Sequence, residues 1–96
     1  MIRHIVFFSA KPGESVDVIR SELMALGTIP HSRHFEVTKN TKVDTWSDEI
    51  DIVVYAEFDD QAALSAYKAH PTYDATTRKV RPMREIRYSA DVVSEK

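Results

Sequence analysis

Residues Asp51 to Ala75 read DIVVYAEFDDQAALSAYKAHPTYDA, and the fold follows from how this stretch divides. Ile52, Val54, Ala56 and Phe58 alternate with Val53, Tyr55 and Glu57. Period-two alternation of β-branched and aromatic residues marks a strand. Both faces are largely apolar, whereas a strand buried on one side alternates with polar residues. A covering layer is therefore expected on each face. Asp59-Asp60 stops the strand, and either carboxylate can accept the orphan N–H groups of a helix start. Gln61 to Ala69 is Ala-rich and predicts a helix, with Leu64, Tyr67 and Pro71 forming one inward stripe. Pro71 cannot continue that helix, because it lacks an N–H and restricts His70. It suits the first turn of a second helical segment over 71–80, with Tyr73, Thr77 and Val80 on one side.

Outward from this centre the chain is short. Ninety-six residues predict one domain spanning 1–96. A chain this small leaves much apolar surface over after its core is built. Net charge is −2, a weak argument against nucleic acid or an anionic membrane as partner. The chain has no Cys, which excludes disulfides, thiolate chemistry and Cys-based zinc sites. The apolar run at the start is too short for a signal peptide and no small-residue cleavage site follows, so a cytoplasmic protein is expected.

Ile2 to Ser9 predicts the first strand, with Ile5 and Phe7 on one face and His4, Val6 and Phe8 on the other. Lys11-Pro12-Gly13 is a turn and Ser15 a helix cap. Val16, Ile19, Leu23 and Leu26 repeat at helical spacing, with Gly27 placed as the C′ residue and Pro30 just beyond. Ser32 to Asn40 predicts a second strand, at an edge. Thr41 to Glu49 reads as a loop, with Trp46 buried either at an interface between copies or under the loop itself. Asp48, Glu49 and Asp51 read as a solvated acidic run. Ile86, Tyr88, Ala90 and Val92 alternate through a last strand, and 94–96 is a frayed tail.

The order β-α-β-β-α-β predicts an α+β, ferredoxin-like sandwich. Its four-stranded antiparallel sheet carries helices on one face. The other face has no covering element within the chain. A second copy, sheet against sheet, removes the exposed apolar patch and gives a two-fold homodimer.

Three stretches resemble the stress-responsive dimeric α/β-barrel (Dabb) family: Met1 to Phe8, Asp51 to Asp59, and Ala66 to Pro71 with its Tyr-Lys-Ala-His-Pro. Val80 to Glu85 matches the family's run before the last strand. The resemblance covers nearly the whole chain and implies a ferredoxin-like protomer dimerising into an α/β-barrel. One branch, similar to plant olivetolic acid cyclase, closes polyketide rings without a cofactor in a site between sheet and helices. Carried over position by position, that branch's residues fall on His4, Tyr67 and His70. Where it has its principal His, this chain has Tyr73, and a Tyr with pKa about 10 is a poor base near neutrality.

Each candidate has two readings. His4 is a semi-buried His bonded to a neighbour, or a pocket acid/base. His70 is a cap at the helix break, or a polar group at a cavity mouth. Tyr67 is core, or a hydroxyl aimed at a ligand. His31 and His34 read as surface, and no metal site is expected. The candidate catalytic residues are thus His4, Tyr67 and His70, and the candidate ligand-binding residues Val6, Phe8 and Tyr73, with no cofactor. Two functions remain open. One is a dimeric domain holding a small apolar ligand. The other is a cofactor-free enzyme acting on a polyketide- or quinone-like compound. A solvent-connected cavity beside these side chains favours the enzyme; a filled core favours the first.

Overall fold

The computed structural model describes residues 1–95. Strands β1 (Ile2–Ala10), β2 (His34–Lys39), β3 (Ile52–Phe58) and β4 (Arg84–Val93) form one antiparallel sheet in the order β2-β3-β1-β4. Helix α1 (Val16–Leu23) follows β1, and α2 (Gln61–Ala69) and α3 (Pro71–Val80) follow β3. This is the ferredoxin-like arrangement, with the second helical segment where Pro71 requires it.

Cross-strand partners place His4, Val6 and Phe8 beside Ala56, Val54 and Ile52 on the helix-covered face. These residues and Phe58 are buried, and they share one core with Ile19, Leu23, Leu64 and Val80 from the helices. The opposite face carries Ile5, Phe7, Val53, Tyr55, Tyr88 and Val92. Phe7, Tyr88 and Val92 are exposed. The Cα envelope is only 16 Å deep on its short axis. That accommodates one sheet and one helix layer about 10 Å apart, with no third layer.

Local chemistry sets the element ends. Ser15 Oγ accepts from the Val18 N–H, and the Asp60 carboxylate from the Ala63 N–H. At a bulge where the β1–β4 register shifts after Phe8, the buried Ser9 hydroxyl accepts the Ile86 N–H at 3.0 Å, so the gap leaves no orphan donor.

Several expectations are corrected. Gly27 is not a left-handed C′ residue. It lies inside a 3-10 turn, Met24–Thr28, which continues α1, and its φ is not positive. Its lack of a side chain serves a close approach: a Cβ there would stand 2.8 Å from Phe35 Cδ1. Pro71 does not complete the inward stripe; it is exposed as the first residue of α3, while Leu64 and Tyr67 are fully buried. Trp46 is not tucked under its loop, being 91% exposed. Asp51 is no solvated acid. It accepts from the Ala10 N–H at 2.9 Å and the Lys42 ammonium at 2.6 Å, anchoring the loop to β1. The expected frayed tail is pinned as far as Ser94, whose N–H donates to the Met1 carbonyl; Lys96 lies outside the described residues. No helix among the described residues is long and apolar enough to cross a membrane.

Candidate functional site

A cavity of about 310 Å³ lies between the sheet and the helices. Val6, Phe8 and Val54 form its floor, and Leu23, Leu26 and Val80 one apolar wall. His4, Tyr67 and Tyr73 also line it, and Thr77, Arg81, Arg84 and Arg87 complete the rim. Arg81 is exposed, and Tyr73, Thr77, Arg84 and Arg87 are half-buried, so this side opens to solvent.

Strand alternation turns His4 inward, where it is 1% exposed. Its Nδ1 bonds the carboxylate of Asp91, its opposite neighbour on β4. Burial lowers the imidazole's pKa, and Asp91 only partly offsets this. The ring is therefore neutral near pH 7. A neutral imidazole facing a carboxylate carries its proton on Nδ1, which leaves the Nε2 lone pair free. Its ring meets the edges of Phe58 and Tyr67, with centroids 6.2 and 6.0 Å away. The Asp91 carboxylate also stands 3.8 Å from the Lys68 ammonium.

Tyr67 reaches the cavity from the inward stripe of α2 and is fully buried. Its hydroxyl has no hydrogen-bond partner among the described residues. A buried hydroxyl left unpaired costs about 1–3 kcal/mol. Burial, and then the neighbouring Tyr73, push its pKa well above the ordinary Tyr value, so it stays protonated. It is a protonated donor buried in the wall of the cavity.

His70 is placed elsewhere. It does not line the cavity. Its Nδ1 accepts the Thr72 N–H at 3.1 Å as the N-cap of α3, and its ring meets His31 with centroids 6.4 Å apart. As a ring nitrogen already committed to a helix end, it is withdrawn from the candidate catalytic set. His4 and Tyr67, with Val6, Phe8 and Tyr73, are brought together around one space. His31 and His34 are exposed, and no cluster of three or more potential ligands that could hold a metal ion occurs among the described residues.

Sequence reasoning missed Asp91 and the three arginines. Asp91 is 87 residues from His4, and only strand pairing unites them. Arg81, Arg84 and Arg87 recur every three residues across a turn and a strand, a spacing with no single-element meaning. None of the three forms an ion pair with a carboxylate among the described residues. Arg87 Nη2 lies 3.5 Å from the Tyr73 hydroxyl.

A family model for the stress responsive A/B barrel domain matches residues 2–94. A ferredoxin-like Dabb family protein from Mesorhizobium loti is 29% identical, with a TM-score of 0.76, over 99% of this chain and 97% of that one. A dimeric ferredoxin-like protein of unknown function from Thermobifida fusca is 23% identical, with a TM-score of 0.81, over 97% and 90%. The hydroxynitrile lyase of Passiflora edulis is 19% identical, with a TM-score of 0.83, over 99% and 94%. These last two likenesses establish the fold alone. No curated protein matches the chain significantly.

Proposed function

Since the chain belongs to the stress-responsive A/B barrel domain family, we propose that its helix–sheet cavity is the site of a small acid–base enzyme of the polyketide-cyclase type, acting on a polyketide- or quinone-like compound. One observation carries this reading. A neutral imidazole, held by a carboxylate through Nδ1, shares a cavity with a protonated, unpartnered phenol. A domain built only to fill its core would have no reason to keep a buried hydroxyl unpaired.

In the proposed step, His4 Nε2 takes a proton from the carbon next to a substrate carbonyl. The C–H electrons move to the carbonyl oxygen, and the Tyr67 hydroxyl donates to the resulting enolate. The enolate carbon can then attack a second carbonyl of the same molecule, and His4 returns its proton to the new alkoxide. Asp91 positions the imidazole and stabilises its charged form. A pre-aimed donor of this kind is worth about 10²–10³ in rate where it is the principal one. Val6, Phe8 and Tyr73 are assigned to contact the apolar body of the substrate.

The proton transfer can be tested without the natural substrate. Phenylacetone in D₂O loses its α-proton NMR signals as the base removes them. The chain should accelerate this exchange above buffer; His4→Ala should abolish the acceleration and Tyr67→Phe should cut it at least tenfold. Exchange no faster than buffer, or unaffected by His4→Ala, refutes the acid–base assignment and leaves ligand holding as the role of the cavity.

The proposal includes a homodimer joined through the outer sheet face, supported by the apolar residues exposed there and by the dimeric Thermobifida fusca protein of the same fold. We take residues 1–96 as a single domain and the cytoplasm as its compartment, which suits a chain without Cys.

A further inference from the structure

Three guanidinium groups at the rim of one small cavity are unusual in a chain of net charge −2. Arg33 pairs with Asp59 and Arg78 with Asp74, and Arg20 bonds the Val37 carbonyl. Arg81, Arg84 and Arg87 find none among the described residues, although Glu85 lies between them in sequence. They are also near enough to disfavour one another. Burial first, then the charges of Arg87 and Arg81, hold Arg84 below its ordinary pKa. Like charges gathered without a counter-charge repel one another and cost stability. The unpartnered Tyr67 hydroxyl, fully buried in the same cavity, is an independent sign that a polar ligand completes the site.

We propose that the cavity takes small molecules with an apolar body and an anionic oxygen group, and that Arg84 and Arg87 bind that group. The inference rests on the acid–base reading of the same cavity and names its substrate class. Arg87 projects from β4 on the face shared by His4 and Phe8, and its charge is felt by both His4 and Tyr67. An anion bound there shares the cavity with His4 and Tyr67, with the apolar remainder over Val6, Phe8 and Val80. Guanidinium forks bind carboxylate or phosphate through paired, charge-assisted hydrogen bonds. Arg81, at the exposed rim, raises the local concentration of anions before they enter.

The test is isothermal titration of the purified chain with 2-naphthoate, 2-naphthamide and 2-naphthyl phosphate at pH 7 and low salt. The first two share size and shape and differ in charge. At least one anion should bind ten times more tightly than the amide, and added salt should erase the difference; which anion binds better identifies the group. Arg84→Gln and Arg87→Gln should each remove the preference while leaving amide affinity within twofold. Arg78→Gln, outside the cavity, should keep it. Equal affinity for both anions and the amide overturns the inference, as does a preference that survives both cavity substitutions. Having two variants guards against one that fails to fold, checked by circular dichroism. His4→Ala separates this inference from the one beneath it. Anion preference kept while phenylacetone exchange is lost supports both. Anion preference with no exchange in the unaltered chain leaves the binding inference standing and sinks the enzyme reading. Exchange without anion preference does the reverse.

Discussion

At His4, burial and Asp91 pull the imidazole in opposite directions, and burial prevails. The native ring therefore binds its proton less readily than the unfolded chain, whose ordinary value is about 6.5. Between the native value and about 6.5 the unfolded state holds more protons. Stability is thus fully present above 6.5, falls as the pH is lowered through that interval, and levels off below it. The same sign governs activity. Exchange of phenylacetone should stay level as pH falls to about 6.5 and decline only below that. Asp91→Asn removes the partner that raises the pKa, so the acid limb should move to still lower pH while the plateau rate drops about tenfold or more. An unchanged profile would show that Asp91 only fills space. The sequence displayed His4 and Tyr67 through strand alternation and helical spacing. It could not display Asp91, because that contact exists only once β1 and β4 are in register. The arginines stayed hidden for a related reason: a three-residue spacing across a turn and a strand converges only in the folded chain.

At the level of elements, the break between α2 and α3 shows how a residue type can mislead about role. His-Pro is among the stretches through which the chain resembles its family, and His70 looks reactive. Yet Pro71 needs a helix start, a helix start needs an acceptor, and the His70 ring supplies it to the Thr72 N–H. His70→Ala should cost about 1 kcal/mol in urea unfolding, and His70→Asn, which keeps an acceptor, much less. Both should retain phenylacetone exchange. Loss of exchange in the folded Asn variant would return His70 to the chemistry. Strands and helices themselves were legible because Ile52–Phe58 and Gln61–Ala69 each obey one period, and Ser15 and Asp60 cap where short polar residues precede apolar ones. Gly27 was not legible as packing. A glycine near a helix end reads as a left-handed stop, and only the arrival of Phe35 from β2 shows that its missing Cβ leaves space for a ring.

For the whole molecule, the outer sheet face is the unsolved problem of a two-layer protomer. Its side chains are graded. His34, Glu57 and Arg3 occupy one end, where the Arg3 Nε is buried without a partner among the described residues. Phe7, Val53 and Tyr88 occupy the other, beside Ser47 and Ile50 of the loop that also carries the exposed Val43 and Trp46. A two-fold partner would cover the apolar end and exclude water from Trp46, whose 91% exposure makes it the natural reporter. Each fully buried large side chain would contribute about 1.5–3 kcal/mol. Phe7→Glu places a charge at the centre of that surface, where a carboxylate without a partner is costly, but in a lone protomer it points to water. The substitution should therefore leave the circular dichroism spectrum intact while sedimentation shifts from dimer to monomer and Trp46 fluorescence moves to the red. The cavity faces the helices, on the far side of the sheet, so phenylacetone exchange should survive in the monomer. A Phe7→Glu chain that still sediments as a dimer, with Trp46 fluorescence unchanged, would place the interface elsewhere.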